Sequence, residues 1–468
     1  MIIKTNVKRW HTHWVLLGLI MLSLTQCKKE SLKQEASFDP SKPIVVTDFS
    51  PKEGAAGSDL VIYGDNFGND LSKLVVTIGG KEAKVVGVKN NSLYCIVPAG
   101  AYDGDIHVSV LDDNDEELAQ TQATEIFTYN KKMLVSTFLG TYYEVGSDYV
   151  DKEGPFNDCG AFKGILWFSF DPKNHDHLYF TSSDASINYK TRLIDFDQRY
   201  VSYFRTNLKK MSSIAWRIDG SQDMIVADDQ EKESHAGCYT YSRSSNFMQN
   251  EPFDMNAVGE MNGNITSIAT HPKNGELYYF RYRGGDLVRY DFQTKEVKSA
   301  LSVSTSKTAF FIVIHPSGDY AYLIGRDQNY ILRTDYDYAK KTFTTPYTVC
   351  GEYNKAGYAD GIGTNARLNY PVQGVFVKNP DYEATGGEQY DFYFCDGKNH
   401  AIRMLTSQGR VSTFAGRGNN GDKGYADGDL RKEARFNQPQ AIAYDEEKKC
   451  FYIGDSNNWL IRKIAKEE

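Results

Sequence analysis

The chain has 468 residues, of which 41% are hydrophobic and 13% aromatic. This length exceeds one ordinary core and aromatic residues favour strands, so the composition predicts an all-β protein with more than one domain. The formal net charge of -8 gives no general attraction to phosphate backbones or anionic membranes, which excludes nucleic acid as an expected partner.

The N-terminal segment has the pattern of a secretory signal. Three basic residues precede an apolar run over residues 14–24, which is too short to span a bilayer comfortably. Cys27 follows almost at once, and a cysteine in this place resembles the lipobox of bacterial lipoproteins. The resemblance implies a signal peptide at 1–26 and an acylated Cys27 as membrane anchor. Ordinary cleavage and an uncleaved anchor are the alternatives.

Residues 27–42 are polar and lack apolar periodicity, as expected of a flexible tether. The charged residues directly after Cys27 loosely resemble the tag that directs lipoproteins of the Bacteroides group to the outer face of the cell. We therefore expect a lipid-anchored, surface-exposed protein of the cell outer membrane.

Six further cysteines are spread over the chain without any CxxC spacing. Each stands alone in a different segment, which favours buried, unpaired strand cysteines over a disulfide framework even in an exported protein. They are Cys95, Cys159, Cys238, Cys350, Cys395 and Cys450.

The segment 43–130 shows short alternating runs separated by Gly, Asn and Asp, the pattern of a β-sandwich. Its sequence TDFSPKEGAAGSDLVIYGDNFG, with Gly64 and Phe67, and the runs that follow resemble an IPT/TIG domain throughout. The resemblance implies an immunoglobulin-like fold that serves as a spacer or interaction module. We expect its glycines to supply positive-φ turns and Phe67 to close one end of the sandwich.

The remainder, 131–468, contains six copies of one hairpin pattern, in which two apolar strands flank a polar turn. The turn positions are Asp171, Arg217, His271, His315, Asn379 and Asp445. Their spacing suits four-stranded blades. A third strand carries an arginine that aligns in four units, at Arg289, Arg333, Arg403 and Arg462.

The last unit has only three strands of its own. The segment KKMLVSTFLG near the start of this region is a near copy of GRVSTFAG, the fourth strand of the preceding unit. We expect the strand 134–138 to complete the last blade, which would remove an unpaired sheet edge.

The C-terminal units carry the signatures GYADG, ARxN and DxxN and closely resemble NHL repeats. Together with the lipobox-like and IPT/TIG-like segments, these repeats make the chain resemble Bacteroidetes-type surface lipoproteins that join an IPT/TIG domain to an NHL propeller. The fold prediction is therefore all-β, an immunoglobulin-like sandwich followed by a six-bladed NHL-like β-propeller.

Most residues with chemical potential occupy repeat positions. His271 and His315 share a turn position with Asp and Arg, so we interpret them as structural. The stretch 419–429, rich in Asp, Asn and Gly, lacks EF-hand spacing, and a related stretch recurs in the preceding unit. Asp396 and Asp455 each begin a DxxN turn that we expect to be stabilised by Asx-type bonds. No catalytic motif occurs, and we predict no cofactor, no metal and no catalytic residue.

One aligned position varies in a way that indicates ligand binding. Three residues before the aligned arginines lie Trp459, His400, Tyr330 and Asp286. Aromatic faces stack on sugar rings, so Trp459, His400 and Tyr330 are the candidate ligand-binding residues. Packing between blades is the alternative.

Together these features favour a non-catalytic surface lipoprotein that binds a glycan, as an accessory to a polysaccharide-uptake system with an outer-membrane transporter. A protein-interaction scaffold that binds a surface protein is the first alternative. A metal-dependent propeller hydrolase or lyase is the second.

Overall fold

The structure is a computed structural model and forms two compact units, residues 1–131 and 132–468. It describes residues 37–143, 150–182, 191–205, 211–229, 237–248, 250–252, 265–282, 285–304, 308–417 and 421–467. Cys27 and the predicted signal peptide lie outside the described residues, so both stay predictions. No helix among the described residues has the length and apolar character needed to cross a bilayer.

The first unit is a β-sandwich. Its strands are β1 Val45–Ser50, β2 Glu53–Gly54, β3 Asp59–Asp65, β4 Leu74–Ile78, β5 Lys81–Lys89, β6 Ser92–Ile96, β7 Ile106–Leu111, β8 Glu117–Gln122 and β9 Thr128–Tyr129. The hydrogen-bonded order is β1-β3-β6-β5-β4-β7-β8, and β2 pairs with β9 in parallel. Strand β5 pairs first with β4 and then with β6, so it passes from one layer to the other.

Phe67 is 1% exposed and packs in the core of this sandwich. Gly64 is required by close approach, because a Cβ there would lie 1.9 Å from the Val45 carbonyl oxygen and 2.4 Å from the Phe67 ring. Gly57 has a φ of 78°, a conformation that favours glycine. The predicted positive-φ role therefore applies to Gly57, whereas Gly64 makes room for Phe67.

The second unit is a ring of six blades. The innermost strand, which we count as the first, is followed by the polar turn of the repeat, and blades 1, 5 and 6 have an additional two-residue strand at their outer edge. Blade 1 contains β11 Gly154–Pro155, β12 Ile165–Phe170, β13 His177–Ser182, β14 Thr191–Asp195 and β15 Tyr200–Arg205. Blade 2 contains β16 Met211–Trp216, β17 Met224–Asp228, β18 Cys238–Tyr241 and β19 Asn250–Pro252. Blade 3 contains β20 Ile265–Thr270, β21 Leu277–Arg281, β22 Asp286–Tyr290 and β23 Val297–Ser302. Blade 4 contains β24 Phe310–Ile314, β25 Tyr320–Gly325, β26 Tyr330–Asp337, β27 Thr342–Phe343 and β28 Tyr347–Gly351. Blade 5 contains β29 Gly361–Ile362, β30 Pro371–Lys378, β31 Tyr390–Asp396, β32 Ala401–Leu405 and β33 Arg410–Gly416. Blade 6 contains β34 Gly428–Asp429, β35 Pro439–Asp445, β36 Cys450–Asp455 and β37 Leu460–Lys466, together with β10 Met133–Leu139. The predicted fold class is confirmed.

Strand β10 closes the ring. It pairs antiparallel with β37, placing Val135 opposite Ile464 and Met133 opposite Lys466. On its other side it pairs with β34. The segment 134–138 thus supplies the fourth strand of blade 6, the place that β33 occupies in blade 5.

Because successive strands are antiparallel, their loops lie on two opposite faces of the ring. We call the face with the loops between first and second strands the turn face; it contains His271, His315 and Asp445. We call the opposite face, with the loops between second and third strands, the connector face; it contains His400 and Trp459.

The six cysteines after Cys27 are buried and unpaired, as predicted. In each of them burial raises the pKa of the thiol. Five of them are small core residues of strands, whereas Cys159 lies in the loop between β11 and β12.

Candidate functional site

A groove of about 600 Å³ opens on the turn face between blades 5 and 6. We call it the blade 5–6 groove. Its walls combine four aromatic side chains with five lysines, namely Tyr393, Phe414, Tyr444, Phe451, Lys378, Lys448, Lys449, Lys463 and Lys466. Large open hollows that combine apolar walls with a few polar groups are the usual place for small ligands.

The aromatic floor of the groove is built by strand alternation. Tyr393 on β31 and Phe414 on β33 face blade 6, and Tyr444 on β35 and Phe451 on β36 meet them. The centroid of Phe451 lies 4.8 Å from that of Tyr393, 5.4 Å from that of Phe414 and 4.7 Å from that of Tyr444. Phe451 is 4% exposed, whereas the other three rings are partly exposed. The buried ring therefore holds three accessible rings in place.

The two tyrosines of this floor are neutral hydrogen-bond donors. Burial raises the pKa of Tyr393 and that of Tyr444. Neither hydroxyl has a hydrogen-bond partner among the described residues. Both phenols can therefore bind a polar group of a ligand.

Turns of the repeat shape the rim of the groove. The Asp445 carboxylate accepts hydrogen bonds from the backbone N–H groups of Glu447 at 3.1 Å and Lys448 at 2.9 Å. In blade 5, Asn379 Oδ1 accepts from the N–H of Asp381 at 3.0 Å. The Asx-type turn chemistry of the repeat thus holds both edges.

The charge of the groove is positive although the chain is acidic overall. Its five lysines are accompanied by two carboxylates, Asp381 and Glu467. Lys378 pairs with Glu383 at 3.0 Å, and Lys448 pairs with Asp445 at 3.2 Å. Lys449 and Lys466 form no ion pair with any described residue.

The histidines of the turn face are structural, as their repeat positions indicate. His271 Nδ1 accepts from the Lys273 N–H at 3.3 Å, and its Nε2 donates to the Gly318 carbonyl at 2.9 Å. His315 Nδ1 accepts from the Ser317 N–H at 3.1 Å. Burial lowers the pKa of both imidazoles, although the Glu388 carboxylate, 3.1 Å from His315 Nε2, opposes the effect at His315. Each Nδ1 accepts a turn N–H in the place where blades 1, 5 and 6 have Asp or Asn.

On the connector face, His400 and Trp459 occupy equivalent positions in neighbouring blades, with φ values of 55° and 62°. Both contact the next blade. His400 Nδ1 accepts from the Gln438 N–H at 3.1 Å, and burial lowers the pKa of this imidazole. The Trp459 carbonyl accepts from the Phe162 N–H at 2.8 Å. The half-buried Trp459 ring lies 6.3 Å from that of Tyr143.

Tyr330 does not belong to this set, and the predicted ring of equivalent positions is wrong there. The residue equivalent to His400 in blade 4 is Asn329, with a φ of 63°, whose Oδ1 accepts from the Tyr370 N–H at 2.9 Å. Tyr330 follows it, is 7% exposed and packs in the core. A shift of one residue along a strand reverses the face of each side chain. Asp286 is displaced in the same way, because it follows Gly285 with a φ of 61°.

The same shift separates the aligned arginines. Arg403 is fully buried, and its guanidinium contacts Asp396 at 2.7 Å and Asp360 at 2.8 Å. Asn399 Nδ2 donates to Asp396 at 2.8 Å. Arg333, in contrast, is 29% exposed and pairs with Asp335. Of these two arginines, only Arg403 is part of a buried ion network, whereas Arg289 is 8% exposed and pairs with Glu276 and Glu296.

Blade 6 repeats this network with Arg462, Asp455, Asn458 and Asp427. Asp427 and Asp360 are the acidic residues of the two GYADG segments. The Asp455 carboxylate also accepts from the Asn437 N–H at 2.7 Å, outside its own turn. The DxxN and GYADG signatures therefore form one unit that fastens the inter-blade loop, which differs from the predicted local Asx bonds.

The axis of the propeller is filled by side chains. The six first strands bring to one level Trp167, Ser213, Ser267, Phe311, Gln373 and Ala441. The rings of Trp167 and Phe311 stack across the axis at 5.8 Å and 24°. Gln373 accepts from the N–H groups of Phe168 at 2.9 Å and Ile442 at 3.1 Å. Within the described ranges, no group of three or more His, Cys, Asp or Glu residues is placed to hold a metal.

Comparison with known proteins agrees with this architecture. The family model of the IPT/TIG domain matches residues 43–129. A human NHL repeat-containing protein 2 is 27% identical over 112 residues, which are 24% of this chain and 14% of the human protein. The chain thus aligns with only a small part of that relative.

Solved structures resemble most of the chain. An auxiliary nutrient binding protein from Bacteroides thetaiotaomicron is 51% identical, with 92% of this chain and 100% of that chain covered and a TM-score of 0.84. One from Bacteroides ovatus is 42% identical, with coverage of 92% and 100% and a TM-score of 0.73. The chain belongs to this family of TIG-propeller proteins. A further B. thetaiotaomicron structure, described as a candidate phosphatase, is 36% identical, with coverage of 92% and 99% and a TM-score of 0.78.

The groove of this TIG-propeller protein was not predicted from the sequence. Its aromatic residues lie on four strands of two blades, and its lysines come from β30, β37 and the turn before β36. Two signals were available in the sequence: the aromatic residues Tyr393 and Phe414, and the two consecutive lysines Lys448 and Lys449. Only the packing of blade 5 on blade 6 shows that they meet.

Proposed function

We propose that this TIG-propeller protein is a non-catalytic accessory protein that binds a nutrient glycan at the cell surface. The observation that carries the proposal is the blade 5–6 groove, with its three accessible rings above Phe451. Partly exposed aromatic rings stack on the apolar faces of pyranose rings. The two nutrient binding relatives of similar length support the accessory role.

The absence of a catalytic motif in the sequence supports binding without turnover. His271 and His315 accept hydrogen bonds within their turns, and the carboxylates Asp396 and Asp455 are paired with buried arginines. These four groups are thus used in structural contacts, whereas the groove presents donors and aromatic faces.

Affinity electrophoresis of the mature protein across a panel of polysaccharides tests the proposal. We expect at least one polysaccharide to retard the protein, and Tyr444→Ala to reduce that retardation, because this partly exposed ring forms the groove floor. Tyr444→Phe, which keeps the ring, is the matched variant. Circular dichroism and a thermal melt show whether each variant is folded.

Trp459→Ala distinguishes the groove from the connector face. If Trp459→Ala removes retardation and Tyr444→Ala leaves it intact, the ligand binds on the connector face and the groove assignment is wrong. If no polysaccharide retards the protein, the glycan proposal is overturned. Release of shorter saccharides by the purified protein would contradict its non-catalytic part.

We also propose that Cys27 is acylated and anchors the protein to the outer membrane, beside a transporter for the bound nutrient. The signal-like segment before Cys27 and the polar residues after it support this arrangement. Metabolic labelling with a fatty acid should label the wild-type protein and fail with Cys27→Ala. Labelling of intact cells by an antibody should detect it at the surface, and protein recovered without lipid would refute the anchor.

A further inference from the structure

The blade 5–6 groove has a second property that a neutral sugar would not need. The chain has a formal net charge of -8, yet five lysines and only two carboxylates line this groove. A local positive field within an acidic surface attracts an anionic ligand to one place and repels it elsewhere. The charge pattern therefore bears on the class of ligand.

Two of the five lysines are available for a ligand. Lys378 and Lys448 are held by Glu383 and Asp445, and Lys463 is half-buried. Lys449 and Lys466 are exposed and form no ion pair within the described part of the chain. An ammonium group without a protein partner can bind an anionic oxygen by a charge-assisted hydrogen bond.

Both lysines belong to blade 6, and the antiparallel register of β36 and β37, with Phe451 opposite Ile464, brings them to the same end of the groove. Lys449 ends the β35–β36 turn with a φ of 51°, directly after the Asx-type bonds of Asp445. Lys466 ends β37, where it pairs with Met133 of the closing strand. Closure of the ring by β10 thus completes the positive wall.

We propose that the groove binds an anionic polysaccharide, with a sugar ring on Tyr444 and Tyr393 and its carboxylate or sulfate on Lys449 and Lys466. This inference rests on the proposed function and names its ligand class. The aromatic floor contacts the ring face, and the two lysines select the charge.

Two matched pairs of polymers test the inference and distinguish carboxylate from sulfate. Polygalacturonate is compared with its fully methyl-esterified form, and dextran sulfate with dextran, by affinity electrophoresis of the full mature protein. We expect at least one charged polymer to bind roughly tenfold more tightly than its neutral counterpart. Its binding should weaken as sodium chloride is raised, because salt screens the lysines.

The double variant Lys449→Gln/Lys466→Gln should weaken binding of the charged polymer by roughly 10-fold or more, since two charge-assisted contacts are lost. The double variant Lys81→Gln/Lys84→Gln, at exposed positions of β5, removes the same charge from the other unit and should leave binding unchanged. Equal losses in both variants would show general attraction of polyanions and overturn the inference.

Failure of the inference is distinguishable from failure of the proposed function. If a neutral polymer binds as tightly as its charged form and Tyr444→Ala weakens both, the glycan site stands and the charge selection is refuted. If neither pair nor any other polysaccharide binds, both are refuted.

Discussion

The indole of Trp167 stacks on the ring of Phe311 with 5.8 Å between their centroids, although the two residues belong to blades on opposite sides of the ring. Each lies on the innermost strand of its blade, and both are nearly fully buried. The small side chains at the same level in the other blades, such as Ser213 and Ala441, leave the space that these rings fill. The two rings therefore form a central core that contacts the innermost strands of the blades.

Trp167→Ala should lower the free energy of unfolding of the propeller by about 3–5 kcal/mol, because it leaves a cavity on the axis. Phe311→Ala should have a similar effect, and the double variant should cost less than the sum since the two share one cavity. Denaturant unfolding measures all three. Trp459→Ala removes the same side chain at a half-buried position, and an equal loss there would contradict an axial role for Trp167.

The buried ion network of blade 5 predicts unequal effects of two arginine substitutions. Arg403→Ala leaves the fully buried Asp396 carboxylate without its charged partner, which should cost about 3–5 kcal/mol. Arg333→Ala loses a partly exposed pair with Asp335 and a contact over the Tyr320 ring, which should cost about 1 kcal/mol. Similar losses of unfolding free energy in the two variants would contradict the larger contribution of the buried ion network of Arg403.

Closure of the ring can be tested on β10 alone. Val135 is 1% exposed opposite Ile464, whereas its neighbour Ser136 is exposed. Val135→Asp buries a charge between blades and should lower the free energy of unfolding by at least about 3 kcal/mol. Ser136→Asp should change it by less than about 0.5 kcal/mol. If Val135→Asp unfolds like the wild type in denaturant, β10 does not close the ring.

The neutral His271 predicts a loss of stability in mild acid. Burial holds its pKa below the ordinary value, with the hydrogen bond to the Gly318 carbonyl and Asp319 opposing the effect and Lys273 adding to it. An unfolded histidine titrates near about 6.5, so below that pH the unfolded chain binds the extra proton. The contribution of His271 to stability is therefore complete above about pH 6.5 and decreases as the pH falls towards its folded-state value.

His271→Asn should flatten this dependence. Asparagine can accept the Lys273 N–H, as Asn379 does for Asp381 in blade 5, but it does not titrate. Unfolding free energies at pH 5, 6 and 7.5 should fall less steeply towards acid for the variant than for the wild type. His315 and His400 add to the remaining slope, whereas Asp455, whose pKa burial raises to about 6, opposes it. Parallel profiles would show that His271 is not a titrating group of the folded state.

The sequence alone was sufficient to predict the propeller architecture, because the same hairpin pattern occurs six times. Strand pairs recur with a polar turn that has the same chemistry in Asp171, His271 and Asp445. Each turn side chain bonds the backbone two residues onward, which is a local interaction. The closing strand was also predictable, since a copy of β33 stood outside its own repeat and an unpaired edge required a partner.

Tertiary structure decided the rest, because registers and surfaces depend on contacts between distant strands. The conformation of the connector loops, rather than the spacing of the arginines, makes Asn329 the residue equivalent to His400, and Tyr330 therefore packs in the core. The stacking of Trp167 on Phe311 joins strands that are far apart in sequence. The blade 5–6 groove likewise exists only where Tyr393 meets Phe451, since neither blade alone has an aromatic floor.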